Sequence, residues 1–165
     1  NGFAIVGLYK QVTYGSSGDV FGLFRVNNGT IKNLAVVGGS ITDTSFGNST
    51  SVGAIAGYNS GTISNCYNAM TVSSTGYVGG IAGSAGKTGW YYNDCDNSGN
   101  ITIAAAQTAG TAVYAGILAV TKAELVVDCD NSGAITVTGD SDAAETCYIG
   151  GVIAQATSNS AKSFC

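Results

Sequence analysis

Apolar and small residues alternate with polar ones in a pattern that recurs along the chain. The first signature is an apolar residue, two small residues, then an apolar pair. It appears as Val20-Phe21-Gly22-Leu23-Phe24, Val52-Gly53-Ala54-Ile55-Ala56, Val78-Gly79-Gly80-Ile81-Ala82, Tyr114-Ala115-Gly116-Ile117-Leu118 and Ile149-Gly150-Gly151-Val152-Ile153. A second signature follows each copy: Ile31-Lys32-Asn33-Leu34, Ile63-Ser64-Asn65-Cys66, Tyr92-Asn93-Asp94-Cys95, Val126-Val127-Asp128-Cys129 and Lys162-Ser163-Phe164-Cys165. A third is a short β-branched run: Ser40-Ile41-Thr42, Thr71-Val72-Ser73, Ile101-Thr102-Ile103 and Ile135-Thr136-Val137.

Copies of the first signature lie 32, 26, 36 and 35 residues apart. Strand signatures that stay constant while the period varies mean fixed strands joined by loops of variable length. Helical periodicity is nearly absent, and segments such as 121–127 are too short for a stable helix. The pattern predicts an all-β chain, a right-handed parallel β-helix of about five coils with three short strands each. Successive coils would pair through parallel ladders about 4.8 Å apart. A β-sandwich would also be rich in short strands, but it would not repeat the same three signatures in one order. Residues 1–165 are read as a single β-helix segment, a fragment of a longer repeat protein. Phe3 to Leu8 and Phe164-Cys165 read as partial coils, and the Asn1 start as processing or trimming. Open coil edges of this kind favour end-to-end pairing, or a cover from flanking domains.

Composition narrows the classes. The chain has 25 glycines, no proline and only 10% charged residues. Glycine without proline or a three-residue period excludes collagen, and 45% hydrophobic residues exclude a disordered chain. A net charge of −4 with six scattered basic residues argues against nucleic acid. No apolar run is long enough to insert in a membrane. Histidine, the commonest general base and metal ligand, is absent.

Strings such as Asn28-Gly29-Thr30-Ile31-Lys32-Asn33-Leu34 and Gly61-Thr62-Ile63-Ser64-Asn65-Cys66, each following a Gly-rich strand, resemble the GLUG-type repeats of bacterial surface proteins. Similar repeats occur in the non-catalytic β-helix region of bacterial immunoglobulin A1 proteases. The resemblance runs from about Phe3 to Cys165. It implies a non-catalytic structural or adhesive segment of a secreted or cell-surface protein, with a host glycan or protein as partner. The alternatives are a spacer or substrate-binding region of a large secreted hydrolase, or a self-assembling extracellular fibre subunit. In the third and fourth repeats the Asn-x-Gly-x-Ile turn is replaced by residues 87–92 and 122–126, which predicts reshaped corners.

Four constellations are candidates for chemistry. Cys66, Cys95, Cys129 and Cys165 share one repeat position, predicting a structural column of buried thiols. Leu34 fills that position in the first repeat. A linear stack does not make a tetrahedral metal site, whereas pairing within the column as disulfides is compatible with the spacing. Asp94-Cys95-Asp96-Asn97-Ser98-Gly99 and Asp128-Cys129-Asp130-Asn131-Ser132-Gly133 resemble the opening of a calcium loop, which makes Asp94, Asp96, Asp128 and Asp130 calcium candidates. The twelfth position is Ala105 or Gly139 in place of the bidentate Glu, and stacked polar turns account for both strings. Thr42, Ser73, Thr102 and Thr136 form a hydroxyl row suited to a β-surface. Catalytic carboxylates with basic partners, of the kind glycoside hydrolases use, are not found in these motifs. No cofactor is implied. The variable segments 43–51, 74–77, 104–112 and 138–148 should emerge on one side of the rod and carry binding, with Tyr77 and Tyr148 as candidate loop residues.

Overall fold

The computed structural model describes residues 2–13, 18–45, 50–86, 91–104, 112–138 and 146–157, and the backbone of 162–164. Every regular element among them is a β-strand. After β1 (Phe3–Val12) come four complete turns. They are β2 (Val20–Phe21), β3 (Phe24–Asn27) and β4 (Thr30–Asp43); β5 (Ser51–Gly53), β6 (Ala56–Asn59) and β7 (Thr62–Ser74); β8 (Tyr77–Ala85), β9 (Tyr91–Asn97) and β10 (Ile101–Ala104); β11 (Ala112–Thr121), β12 (Leu125–Val127) and β13 (Ile135–Thr138). A further turn begins with β14 (Thr146–Ile149), β15 (Ile153–Ala156) and β16 (Lys162–Phe164).

The strands stack into two eight-stranded sheets. One runs β1-β4-β7-β9-β12-β16 with β10 and β13 alongside; the other runs β14-β11-β8-β5-β2 with β3, β6 and β15 alongside. The pairings are parallel and join equivalent positions of successive turns. This is a β-solenoid of about four turns, one fewer than the five signatures suggest. The first signature of the last copy is in place, and among the described residues only the three-residue β16 follows β15.

The expected three strands per coil are modified at one corner. In the first two turns the second and third signatures lie on one strand, β4 of 14 residues and β7 of 13. That strand bends at a left-handed residue, Asn33 (φ 58°) or Asn65 (φ 48°). Asp94 (φ 54°) and Asp128 (φ 49°) make the same corner in the next two turns. Asn and Asp tolerate this region better than other side chains, which is why they fill this position in the first four repeats. The extra residue of β4 is absorbed between Val37 and Ser40, where the register shifts by one at Gly38-Gly39.

The first signature has a steric cause. Its strands double back so tightly that a Cβ on Gly53 would lie 2.2 Å from the carbonyl oxygen of Ala56, and one on Gly79 1.9 Å from that of Ala82. Only glycine allows two backbones to approach so closely. The apolar residue at the bend then points inward. Ile55, Ile81 and Ile117 are fully buried, Val152 packs against the same core, and Leu23 precedes them. A second inward column, Ile41, Val72, Ile101 and Ile135, lies in the other sheet. Burial of these columns is the main favourable contribution to the fold.

Candidate functional site

Tyr77, Tyr114 and Tyr148 occupy one register position on β8, β11 and β14. Tyr77 and Tyr114 ring centroids are 5.0 Å apart with planes tilted by 56°; Tyr114 and Tyr148 are 4.9 Å apart and nearly parallel at 7°. The rung spacing of a parallel ladder sets these distances and makes a stacked column of rings favourable. Tyr114 is nearly buried in the middle, and Tyr148 is 41% exposed at the end. Burial pushes the Tyr114 phenol up, and its tyrosine neighbours add to the effect. Tyr77 and Tyr148 are therefore strand residues, not loop residues as expected, and each is the last residue of a variable segment. Ser51 takes the position before Tyr77. Sequence reasoning missed Tyr114, although it opens the fourth copy of the first signature. Segments 46–49, 105–111 and 139–145 lie outside the described residues.

The cysteines of the second signature form a buried column. Cys66 and Cys95 are register partners, and Cys129 follows on the next turn. All three are free thiols. Cys66 donates to the Ser64 carbonyl at 3.2 Å, Cys95 to Ile63 and Asn93 at 3.4 Å each, and Cys129 to Val127 at 3.2 Å. Hydrogen bonding among the thiols splits their acidities. The bond from Cys95 lowers Cys66 to about 7 and also lowers Cys129. Hydrogen bonds to Cys129 and Cys66, with burial, push Cys95 up. Cys165 lies outside the described residues. Cys147 is exposed on β14 and stands apart from the column.

The calcium candidates do not converge. Asp94 and Asp128 are the left-handed corner residues, stacked with Asn33 and Asn65 and exposed. Asp96 Oδ1 accepts the backbone N–H of Asp130 at 3.1 Å. Among the described residues no three His, Cys, Asp or Glu side chains are grouped to hold a metal. The turns that follow are held by amides: Asn68 Nδ2 donates to Asn97 Oδ1, and Asn97 Nδ2 to Asn131 Oδ1, each at 2.7 Å. Each also reaches a backbone carbonyl two residues on, of Met70, Gly99 and Gly133 respectively. The same device recurs as Asn27–Asn59 and, exposed at the corner, as Asn65–Asn33, both at 2.7 Å.

Two buried polar groups were not anticipated. Asp43 is fully buried, on the column of Ser74, Ile103 and Val137. Its carboxylate accepts Ser45 N–H at 3.0 Å, Ser45 Oγ at 2.5 Å, Thr50 Oγ1 at 2.6 Å and Ser74 Oγ at 3.0 Å. Neutral hydroxyls thus satisfy a carboxylate that a sequence reading places in a loop. Tyr92 has Ile63 and Val126 as register neighbours, and its buried hydroxyl has no hydrogen-bond partner among the described residues. No family model, curated protein or solved structure matches the chain.

Proposed function

We propose that this chain is a non-catalytic rod segment of a secreted or cell-surface protein, with its tyrosine column binding a glycan or a protein. The observation that carries this reading is the stack of Tyr77, Tyr114 and Tyr148 beside the variable segments. Tyr114, the middle ring, stacks on Tyr148 and meets Tyr77 at a tilt. One face of Tyr148 has no ring neighbour among the described residues, and an exposed aromatic face is a platform for a sugar ring or another side chain. Amide ladders along the axis hold the rungs rigid, so binding there costs little ordering entropy. The GLUG-type resemblance supports the extracellular setting. A glycan array and host-protein panel, probed with the wild type, Tyr148→Ala and Tyr91→Ala, tests this. Tyr91 is equally exposed (43%) elsewhere on the rod. Binding lost only in Tyr148→Ala supports the reading; no binding by the wild type, or equal loss in both variants, overturns it.

A second reading, end-to-end self-association, rests on the distribution of charge and apolar surface along the axis. Residues 1–45 carry three basic and two acidic side chains, net +1; residues 91–165 carry two basic and eight acidic, net −6. The end strands are also the apolar ones: Phe3 is 74% and Val6 76% exposed on β1, and Ile149 is 52% exposed on β14. Lys10 tempers this. It stands at the head of the Ile41 column and lies 5.7 Å over the Phe21 ring, a charge that blocks half of the β1 edge. The half from Phe3 to Val6 is left as the pairing edge, and opposite net charges steer copies head to tail. Sedimentation at low and high salt tests this: association that weakens with salt supports it, and a monomer in both overturns it.

A further inference from the structure

The cysteine column combines three properties not used by the reading above. The cysteines are in register on adjacent rungs, they lie in one line along the axis, and one of them, Cys66, borders a groove while being itself only 3% exposed. The groove has a volume of about 330 Å³ and is lined by Asn33, Leu34, Asn65, Cys66, Tyr67 and Asp94 among others. Cys95 and Cys129 do not line it.

We propose that Cys66, Cys95 and Cys129 form a thiol–disulfide relay, in which Cys66 reacts with a small-molecule disulfide from the groove and Cys95 resolves it. In the first step the Cys66 thiolate attacks one sulfur of the small disulfide RSSR. A Cys66–S–SR bond forms and RS⁻ leaves. Cys95 then attacks Cys66 Sγ and expels the second RS⁻, which takes up the Cys95 proton as it leaves. The Cys66–Cys95 disulfide has formed, two protein thiols are oxidised, and one RSSR is reduced to two thiols. Cys129 can next attack Cys95 Sγ and release Cys66, moving the bond one rung along.

The geometry favours each step. Exchange needs three sulfurs close to a line, which a column of stacked side chains supplies. In-register parallel partners have Cα atoms about 4.8 Å apart, inside the disulfide range. Cβ atoms at that spacing would lie about 1 Å beyond the usual disulfide separation of about 3.8 Å, so the bond requires the two side chains to lean together or the rungs to draw closer. Such strain makes the disulfide easy to reduce and the relay reversible. The hydrogen bond from Cys95 keeps Cys66 acidic enough to be substantially thiolate at neutral pH, the form that attacks. Cys95, pushed up between two thiols, is suited to wait as the resolving group.

The folded chain is incubated with oxidised glutathione at neutral pH, acid-quenched and mapped by non-reducing peptide mass spectrometry, with exposed Cys147 reporting that the reagent is active. A denatured sample confirms that every thiol can be modified. The wild type and Cys129→Ala are expected to yield a Cys66–Cys95 disulfide. Cys95→Ala should stop at Cys66 carrying glutathione, with no column disulfide. Leu34 in the equivalent position shows that an apolar residue fits the column, and circular dichroism checks the fold of each variant. The wild-type result decides alone if a variant fails to fold. Modification of Cys147 with Cys66 and Cys95 left as thiols overturns the proposal, as does glutathione persisting on wild-type Cys66 without resolution.

Discussion

Asn68 Nδ2 donates to Asn97 Oδ1 at 2.7 Å across 29 positions of sequence, and Asn97 repeats the contact to Asn131. Each amide is at once a rung-to-rung link and a cap on its own turn. In a dry interior, removal of a middle member leaves a donor, an acceptor and a backbone carbonyl unpaired. Asn97→Val is therefore expected to destabilise the fold by about 2–4 kcal/mol. Asn68→Val should cost less, because the ladder ends there and Val36 already fills the preceding rung. Urea unfolding midpoints of the two variants check the order.

Tyr92 presents the opposite case. Its hydroxyl is buried beside Asn59, where the Asn27–Asn59 ladder stops, and makes no well-formed hydrogen bond among the described residues. Ala85 is the register partner of Asn59, so the phenol enters the space that a third asparagine would use. Tyr92→Phe removes the unpaired group and keeps the ring. It should raise stability by about 1–2 kcal/mol, read as a higher melting temperature.

The glycines should separate into two classes. Gly79→Ala forces a Cβ onto the Ala82 carbonyl, whereas Gly29→Ala meets nothing within 4 Å. The first is expected to cost more than about 3 kcal/mol or prevent folding, the second to lie within about 0.5 kcal/mol of wild type. Expression yield and denaturant midpoints distinguish them.

Asp94 stacks between Asn65 and Asp128 at the left-handed corner, with two carboxylates on neighbouring rungs. Asp94→Asn keeps a residue that tolerates the corner, removes the repulsion and lets the amide ladder grow. The melting temperature should rise, most at low salt. Millimolar calcium should leave the wild-type melting temperature unchanged, because the four aspartates do not converge; a rise would restore them as ligands.

Reactivity of Cys66 should depend on pH. Its thiol is lowered to about 7 by the hydrogen bond from Cys95, and only the thiolate reacts. Alkylation of Cys66 should therefore accelerate between pH 6 and 8 with a midpoint of about 7, measured by mass spectrometry of the Cys66 peptide.

The repeat was legible in the sequence because a solenoid turns local pattern directly into tertiary structure. Each rung pairs with its copy, so equivalent residues share a column. The inward isoleucines, the cysteine column and the Thr42–Ser73–Thr102–Thr136 row followed from alignment of the signatures alone. The Asn or Asp before Leu34, Cys66, Cys95 and Cys129 was visible as a pattern, but its left-handed backbone was not, since a side-chain preference does not name a φ angle. What tertiary structure decided lies where neighbouring rungs differ. Tyr114 became the centre of an aromatic stack through the register of β11 between β8 and β14. Asp43 became a buried carboxylate because Ser45, Thr50 and Ser74 gather around it from two turns. The Tyr92 hydroxyl is left without a hydrogen-bond partner among the described residues, beside a ladder in which Ala85 follows Asn59. These are properties of contacts between residues about 30 positions apart, set by how rungs stack and not by the sequence of any one coil.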